Sequence, residues 1–352
     1  MNRTTHPRSV RRGTVRVLVA SAACLSLVTA CGSNDSGSSS DKTGDKKAAA
    51  GSEDQYPLTL PNAWDKTVVE KKPVRVATVS DGDTSIALAL GLVPVITPDI
   101  EDGDKVAEYK QRAMDKLNVD KLKTYDDSDG IDFEAIAAEA PDVILGMNSW
   151  DMDGSYAKLK PIAPVVTYTD KKHADTLPWQ ERLKGAAKAL GLSAKADEVI
   201  AANEKAIADA AAANPQLKGK TYTYSVVHPE QITFMSYADQ DAGIFEQLGL
   251  QKTAKAKDYS AKNNSVSLEK LDELEADVLL ITYPFGDEGL LNASELETNK
   301  LFQSLNVVKK KNYAVIPSDN TLASSIAYPD ALSASWVVEE LTPILVKTAA
   351  GK

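Results

Sequence analysis

"FEAIAAEAPDVIL" (133–145) and "LEKLDELEADVLL" (268–280) can be laid over one another without a gap. Phe133 falls on Leu268, Glu134 on Glu269, Ile136 on Leu271, Asp142 on Asp277 and Val143 on Val278, an offset of 135 residues. Each copy reads as a short amphipathic helix, then an aspartate, then an apolar run of the kind found in strands buried on both faces. A second pattern precedes each copy. "VRVATVS" (74–80) predicts a strand, and "TSIALALGL" (84–92) a helix closed by Gly91. "TYTYSVV" (221–227) and "AGIFEQLGL" (242–250), closed by Gly249, repeat that order. Strand and helix in alternation predict parallel sheets with helical crossovers. Two such units in one chain predict two similar α/β lobes.

Between the repeats lies "PWQERLKGAAKALGLSAKADEVIAANEKAIADAAAANP" (178–215). Pro178 suits a first helical turn, Gly191 a cap of one helix and Ser193 a cap of the next, and Pro215 ends the run. These are either two surface helices or a strut between the lobes, and their place between the repeats favours a strut. The expected organisation is a lobe over 56–176, a strut over 177–215 and a lobe over 216–352.

Residues 1–16 carry five arginines and no acid, and "VLVASAACLSLVTA" (17–30) is a 14-residue apolar stretch. A bilayer takes about 20 such residues, so residues 1–30 read as an export signal. Val28-Thr29-Ala30-Cys31 resembles a bacterial lipobox, in which the cysteine is diacylated and becomes the first residue of the mature chain. The other reading is an ordinary signal with an incidental cysteine. Residues 31–55 are poor in apolar side chains and read as a flexible tether. Lipid on Cys31 would hold the chain to the extracytoplasmic face of a membrane without a spanning helix. Removing the signal takes away five arginines and no acid, moving the net charge from −10 to −15. That balance disfavours nucleic acid and anionic lipid as partners.

Six segments carry a family resemblance: "KKPVRVATVSDGDTSIALALGLVPV", "GIDFEAIAAEAPDVILG", "LKPIAPVVTY", "LPWQERLKGAAKALG", "VSLEKLDELEADVLLI" and "SIAYPDALSASWVVEELTPIL". In this order the chain resembles class III solute-binding lipoproteins of the iron-siderophore and cobalamin uptake type, of the actinobacterial kind. The resemblance implies two Rossmann-like lobes with parallel sheets, joined by one long interdomain helix. It implies a ligand in the cleft between them, delivery to an ABC-importer permease, no cofactor and no catalysis, and a monomer. Family glutamates that pair with permease arginines fall on Glu134 and Glu269. Each is also an acid near the start of a helix, where the dipole favours it.

In this fold class ligands meet the loops at the carboxyl ends of strands. Those loops are 80–84, 148–156, 167–179, 228–240, 283–289 and 318–330. They hold Trp150, Tyr168, Trp179, Tyr237, Tyr283, Phe285 and Tyr328, each either a ligand contact or local packing. After the signal only Arg75, Arg112 and Arg182 remain as arginines; Arg112 and Arg182 are candidates for one contact each, or for surface ion pairs. A ferric tris-catecholate, about −3 in charge, calls for a basic pocket; a ferric hydroxamate such as a ferrioxamine fits this composition better. His173 and His228 alone cannot supply a metal set, so iron would arrive already chelated. Haem, with Tyr168, Tyr237 or His228 as axial ligand, and cobalamin are the same-fold alternatives. An extracytoplasmic enzyme is more remote, because no G-x-S-x-G, H-E-x-x-H or P-loop occurs and Asp81/Asp83 are equally turn residues.

Overall fold

The computed structural model describes residues 55–102, 105–149, 152–173, 177–238, 243–286, 291–318 and 321–351. Cys31 and Trp150 lie outside them.

In the first lobe, strands Val76–Thr78, Val143–Gly146 and Val165–Thr167 lie side by side and parallel. Ala77 extends the sheet by a parallel bridge to Ile96, beside which Thr97–Pro98 pairs in parallel with Thr124–Tyr125. Val76, Ala77, Val143, Ile144, Leu145, Val165 and Val166 are all buried. Helices cover both faces, which is why these strands read as continuous apolar runs rather than alternating ones.

The second lobe starts the same way and then departs. Thr221–Val227, Val278–Thr282 and Tyr313–Ile316 are parallel neighbours, and Gln251–Lys252 joins the start of the first in parallel. Ile232–Phe234 returns antiparallel to Thr221–Val227 and pairs onward with Ser265–Val266. The sheet is therefore mixed. The stretch 228–240, expected to be a loop, contains a strand: His228 N donates to Gln231 O across a Pro229-Glu230 turn (2.8 Å), and the β-branched and aromatic residues of "ITF" follow.

The repeat is visible in three dimensions. Val143 and Val278 each open the strand that lies parallel beside the first strand of their sheet, paired with Val76 and Tyr222. The aligned aspartates before them do the same work. Asp142 accepts from the backbone N–H groups of Val74 (3.0 Å) and Arg75 (2.9 Å). Asp277 accepts from Thr221 N and Thr221 Oγ1, both at 2.9 Å. Each carboxylate clamps the entry of the neighbouring strand and so sets its register. The preceding segments differ. Phe133–Ala138 is an α-helix whose cap, Asp132, accepts from Ala135 N (2.9 Å). Leu268–Leu274 is 3₁₀ and kinks at Lys270, with no side-chain bond from its cap Ser267.

Trp179–Leu190 ends at Gly191, whose φ of 66° admits the left-handed cap. Leu192, rather than Ser193, then holds the cap position of Ser193–Ala213, a 21-residue helix. Its buried residues Ala196, Ile200, Asn203 and Ile207 recur at three- and four-residue steps, one stripe of an α-helix. Ala196 and Ile200 belong to the core of the first lobe and Ile207 to that of the second. This helix is the strut. The lobes also meet directly: Tyr109 packs on Trp336 (centroids 5.3 Å apart) and Arg112 pairs with Glu339 (2.9 Å). Among the described residues no helix is long and apolar enough to cross a membrane.

Replacing Asp142 or Asp277 by alanine removes bonds worth about 0.5–1.5 kcal/mol each. Because Asp277 is exposed and Asp142 half-buried, each variant should lose about 1 kcal/mol in urea unfolding, and the asparagine variants should recover part of it. The Thr221 backbone N–H, then its hydroxyl, hold the Asp277 carboxyl below its ordinary 3.8. Its contribution is therefore present above pH ~4 and disappears as pH falls through the depressed folded value. An Asp277→Ala variant with unchanged urea and acid midpoints would refute the clamp.

Candidate ligand-binding cleft

The wall contributed by the first lobe is polar and tied down. Ser80 caps helix Asp81–Ala89: its Oγ accepts from Asp83 N (3.1 Å) and donates to Asp83 Oδ2 (2.6 Å). Asp83 is 0% exposed. Its Oδ1 accepts from the N–H groups of Met147 (2.8 Å) and Asn148 (3.2 Å), the residues that follow the second strand. Burial pushes the Asp83 carboxyl up to about 6, against the opposing pull of those hydrogen bonds. Arg182 holds Asn148 from the other side: Nη1 donates to Asn148 Oδ1 (2.6 Å) and Nε to Leu177 O (2.8 Å). A Cβ at position 82 would lie 2.7 Å from Asn148 Cγ, so Gly82 is needed for the close approach.

The strand-end loops of the second lobe are aromatic. His228, at the end of Thr221–Val227, stacks on Phe285, which follows Val278–Thr282 (centroids 4.6 Å, interplanar angle 24°). Phe285 is 47% exposed and Tyr328 53%. Burial lowers the His228 pKa, so the ring is neutral at pH 7. Of the other expected aromatics among the described residues, two are buried and two half-buried. Tyr283 is buried and its hydroxyl donates to Leu291 O (3.0 Å). Tyr168 is buried against Trp64, 5.5 Å between centroids. Trp179 and Tyr237 are half-buried against the cores of the first and second lobes.

Lys110 sits where the lobes meet. It is 3% exposed and its Nζ lies 2.6 Å from Asp81 Oδ1. Burial alone would lower its pKa, but Asp81, Tyr109 and Asp330 outweigh burial and hold it raised. Arg112 is engaged by Glu108 (2.6 Å) and Glu339. It lines a groove of about 990 Å³ along the strut helix, bounded by Val199, Ala206 and Trp336. None of Ser80, Asn148, His228 or Phe285 lines that groove, so it is separate from the strand-end face. Glu134 and Glu269 are exposed in the first turns of their segments and have no ion pair or hydrogen bond with the described residues. No group of three or more His, Cys, Asp or Glu side chains among the described residues is placed to hold a metal ion.

Sequence reasoning passed over Asn148 and treated Asp83 as a turn residue. The signal was there in Ser80-x-x-Asp83, the spacing of a helix-capping pair. The sequence weighs His228 as a metal or haem ligand and not as a ring of an aromatic stack.

Two α/β lobes on one bridging helix, with a polar and an aromatic wall at their strand ends, define a solute-binding protein of the class III architecture. The periplasmic binding protein family matches residues 76–320, and the chain belongs to it. PiaA of Streptococcus pneumoniae TIGR4, solved in complex with ferrichrome, is 30% identical over 83% of this chain and 99% of that one, with a TM-score of 0.69. A periplasmic solute binding protein from Mycobacterium smegmatis is 22% identical (TM-score 0.66, covering 83% of this chain and 98% of that one). FhuD2 of Staphylococcus aureus, with bound ferrioxamine B, is 18% identical (TM-score 0.59, covering 79% and 100%). The last two bear on the fold alone. No curated protein sequence matches the chain.

The His228–Phe285 stack can be checked by NMR titration. His228 should titrate below the ordinary 6.5. In Phe285→Ala, where water reaches the imidazole, its pKa should move up. An unchanged value would mean that the ring does not shield it.

Proposed function

We propose that this chain captures a ferric siderophore, of the hydroxamate type, between its lobes and delivers it to an ABC-importer permease. The likeness to PiaA carries this reading, since that protein was solved with ferrichrome and is similar over most of both chains. The cleft supports it: exposed Phe285 and Tyr328 suit a bulky, partly apolar ligand. Arg112 and Arg182, the arginines that could face a tris-catecholate, are already committed to protein acceptors. Binding rather than catalysis fits the carboxylates. Asp81 is paired with Lys110, and Asp83 is buried on backbone donors. Trp150 and Tyr328 are the first candidates for ligand contact. Residues 1–30 are read as the signal, Cys31 as the lipid anchor on the extracytoplasmic face and 31–55 as the tether of a monomer. Residues 56–176 and 216–352 are the lobes on either side of the 177–215 strut segment.

Tryptophan-fluorescence titration of the soluble domain should give saturable binding of ferrichrome or ferrioxamine B, and none of a ferric tris-catecholate, haemin or cobalamin. Tight catecholate binding with no hydroxamate binding would overturn the ligand class. A Soret band on a loaded sample would mean haem.

Cells test anchoring and docking together. Cys31→Ala should leave the membrane fraction. Glu134→Ala and Glu269→Ala should keep ligand affinity yet lower uptake at equal surface level, each by a few-fold to about thirtyfold. Exposed charge pairs at an interface contribute about 0.2–2 kcal/mol. Normal uptake in the double variant would leave these acids as helix-start residues only.

A further inference from the structure

Asp83 is the most deeply buried carboxylate of the cleft wall, and fold stability alone does not explain it. Its proton leaves near 3.8 in an unfolded chain and near 6 in the folded one. Between those values the native state binds the extra proton, so this group lowers stability as pH rises through that window. At neutral pH the fold carries a buried charge that costs it stability. What that charge does is hold the loop after the second strand. Oδ1 takes two consecutive backbone N–H groups, Met147 and Asn148, and Oδ2 takes the Ser80 hydroxyl. The loop so fixed presents Asn148 to Arg182 and is pressed close by Gly82.

We propose that Asp83 is a positioning residue of the cleft whose ionised carboxylate sets the loop at Met147–Asn148, so that its protonation loosens this wall and weakens ligand binding in mildly acidic surroundings. Hydrogen bonds to an ionised acceptor are about twice as strong as those to a neutral one. A protonated Asp83 still has a carbonyl oxygen for the two N–H groups, so the tie weakens rather than breaks. Tyr125, on the strand Thr124–Tyr125, senses the Asp83 charge but is itself held well above neutrality by burial. Asp81 beside it is neutralised by Lys110, and Arg182 reaches Asn148 but keeps its charge throughout. His228, on the opposite wall, also titrates in the acid range; a variant at position 83 separates the two.

The inference about affinity rests on the siderophore reading, whereas that about the loop does not, and two measurements keep them apart. The first is amide hydrogen exchange of the ligand-free domain between pH 5 and 7.5. In the wild type, protection factors at Met147 and Asn148 should fall as pH drops through about 6, while thermal stability relative to Asp83→Asn rises. In Asp83→Asn, which keeps an acceptor but cannot titrate, the fall in protection should vanish. Ser80→Ala removes a hydrogen bond that lowers the Asp83 pKa, so the midpoint should move to higher pH. This second variant decides the matter if the first does not fold. The second measurement is titration with ferrioxamine B. Wild-type affinity should drop about five- to tenfold from pH 7.5 to 5.5 beyond any drop in Asp83→Asn. Identical pH profiles for wild type and Asp83→Asn in exchange would overturn the positioning role. Normal exchange behaviour with no ferrioxamine binding at any pH would overturn the siderophore reading and leave Asp83 standing.

Discussion

Asn203 is the residue on which the arrangement of the two lobes depends. It sits halfway along the strut, 5% exposed, between Ile200 in one core and Ile207 in the other. Its Nδ2 donates to Val199 O (3.0 Å) and Ala331 O (3.2 Å), and its Oδ1 accepts from Ser335 N (2.8 Å). The last bond satisfies an N–H in the first turn of the C-terminal helix Ser333–Ala349, a donor that a helix cannot pair internally. A buried amide is tolerated only when bonded. Sliding the strut along the C-terminal helix would strand Ala331 O and Ser335 N together, so one register is selected. Tyr109 and Arg112 can then meet Trp336 and Glu339 across the lobe boundary.

A rigid base has consequences for the cleft. The lobes are joined by a packed helix rather than by loops, so domain closure must bend a helix or break an apolar contact. Recognition is then left mainly to the strand-end loops, and their two walls are built differently. The first lobe's wall is a closed hydrogen-bond network from Ser80 through Asp83 and Asn148 to Arg182. The second lobe's wall offers ring faces, with His228 kept uncharged beside Phe285. A polar wall of fixed geometry orients a ligand, and an aromatic wall adds contact area without demanding charge.

The duplicated pattern explains how such a molecule is specified by a single chain. Asp142 and Asp277 look in sequence like punctuation between helix and strand. In the fold each is a clamp on the neighbouring strand's backbone, at 2.9 Å in both lobes. The helices before them could diverge, one α and one 3₁₀, because they cover a face without setting register. The strands could not, because a one-residue slip would move every side chain to the opposite face of the sheet, against the wrong set of helices.

The amino-acid sequence by itself determined the two-lobe plan, the strut between the repeats and the capping glycines. Hydrophobic periodicity, turn chemistry and repetition are local properties, written within a few residues of each other. It also placed Phe285 and Tyr328 on strand-end loops, where the fold leaves them exposed. Only the tertiary structure decided which loop aromatics are buried and which stay exposed. Tyr168 and Tyr283 have the same local signature as Phe285, yet each is buried by neighbours distant in the chain. The same holds for Arg182, Asp83 and Asn203: each has a partner distant in the chain, 34, 64 and 132 residues away. Whether a polar side chain faces a ligand or holds the protein together depends on which distant backbone groups need a partner.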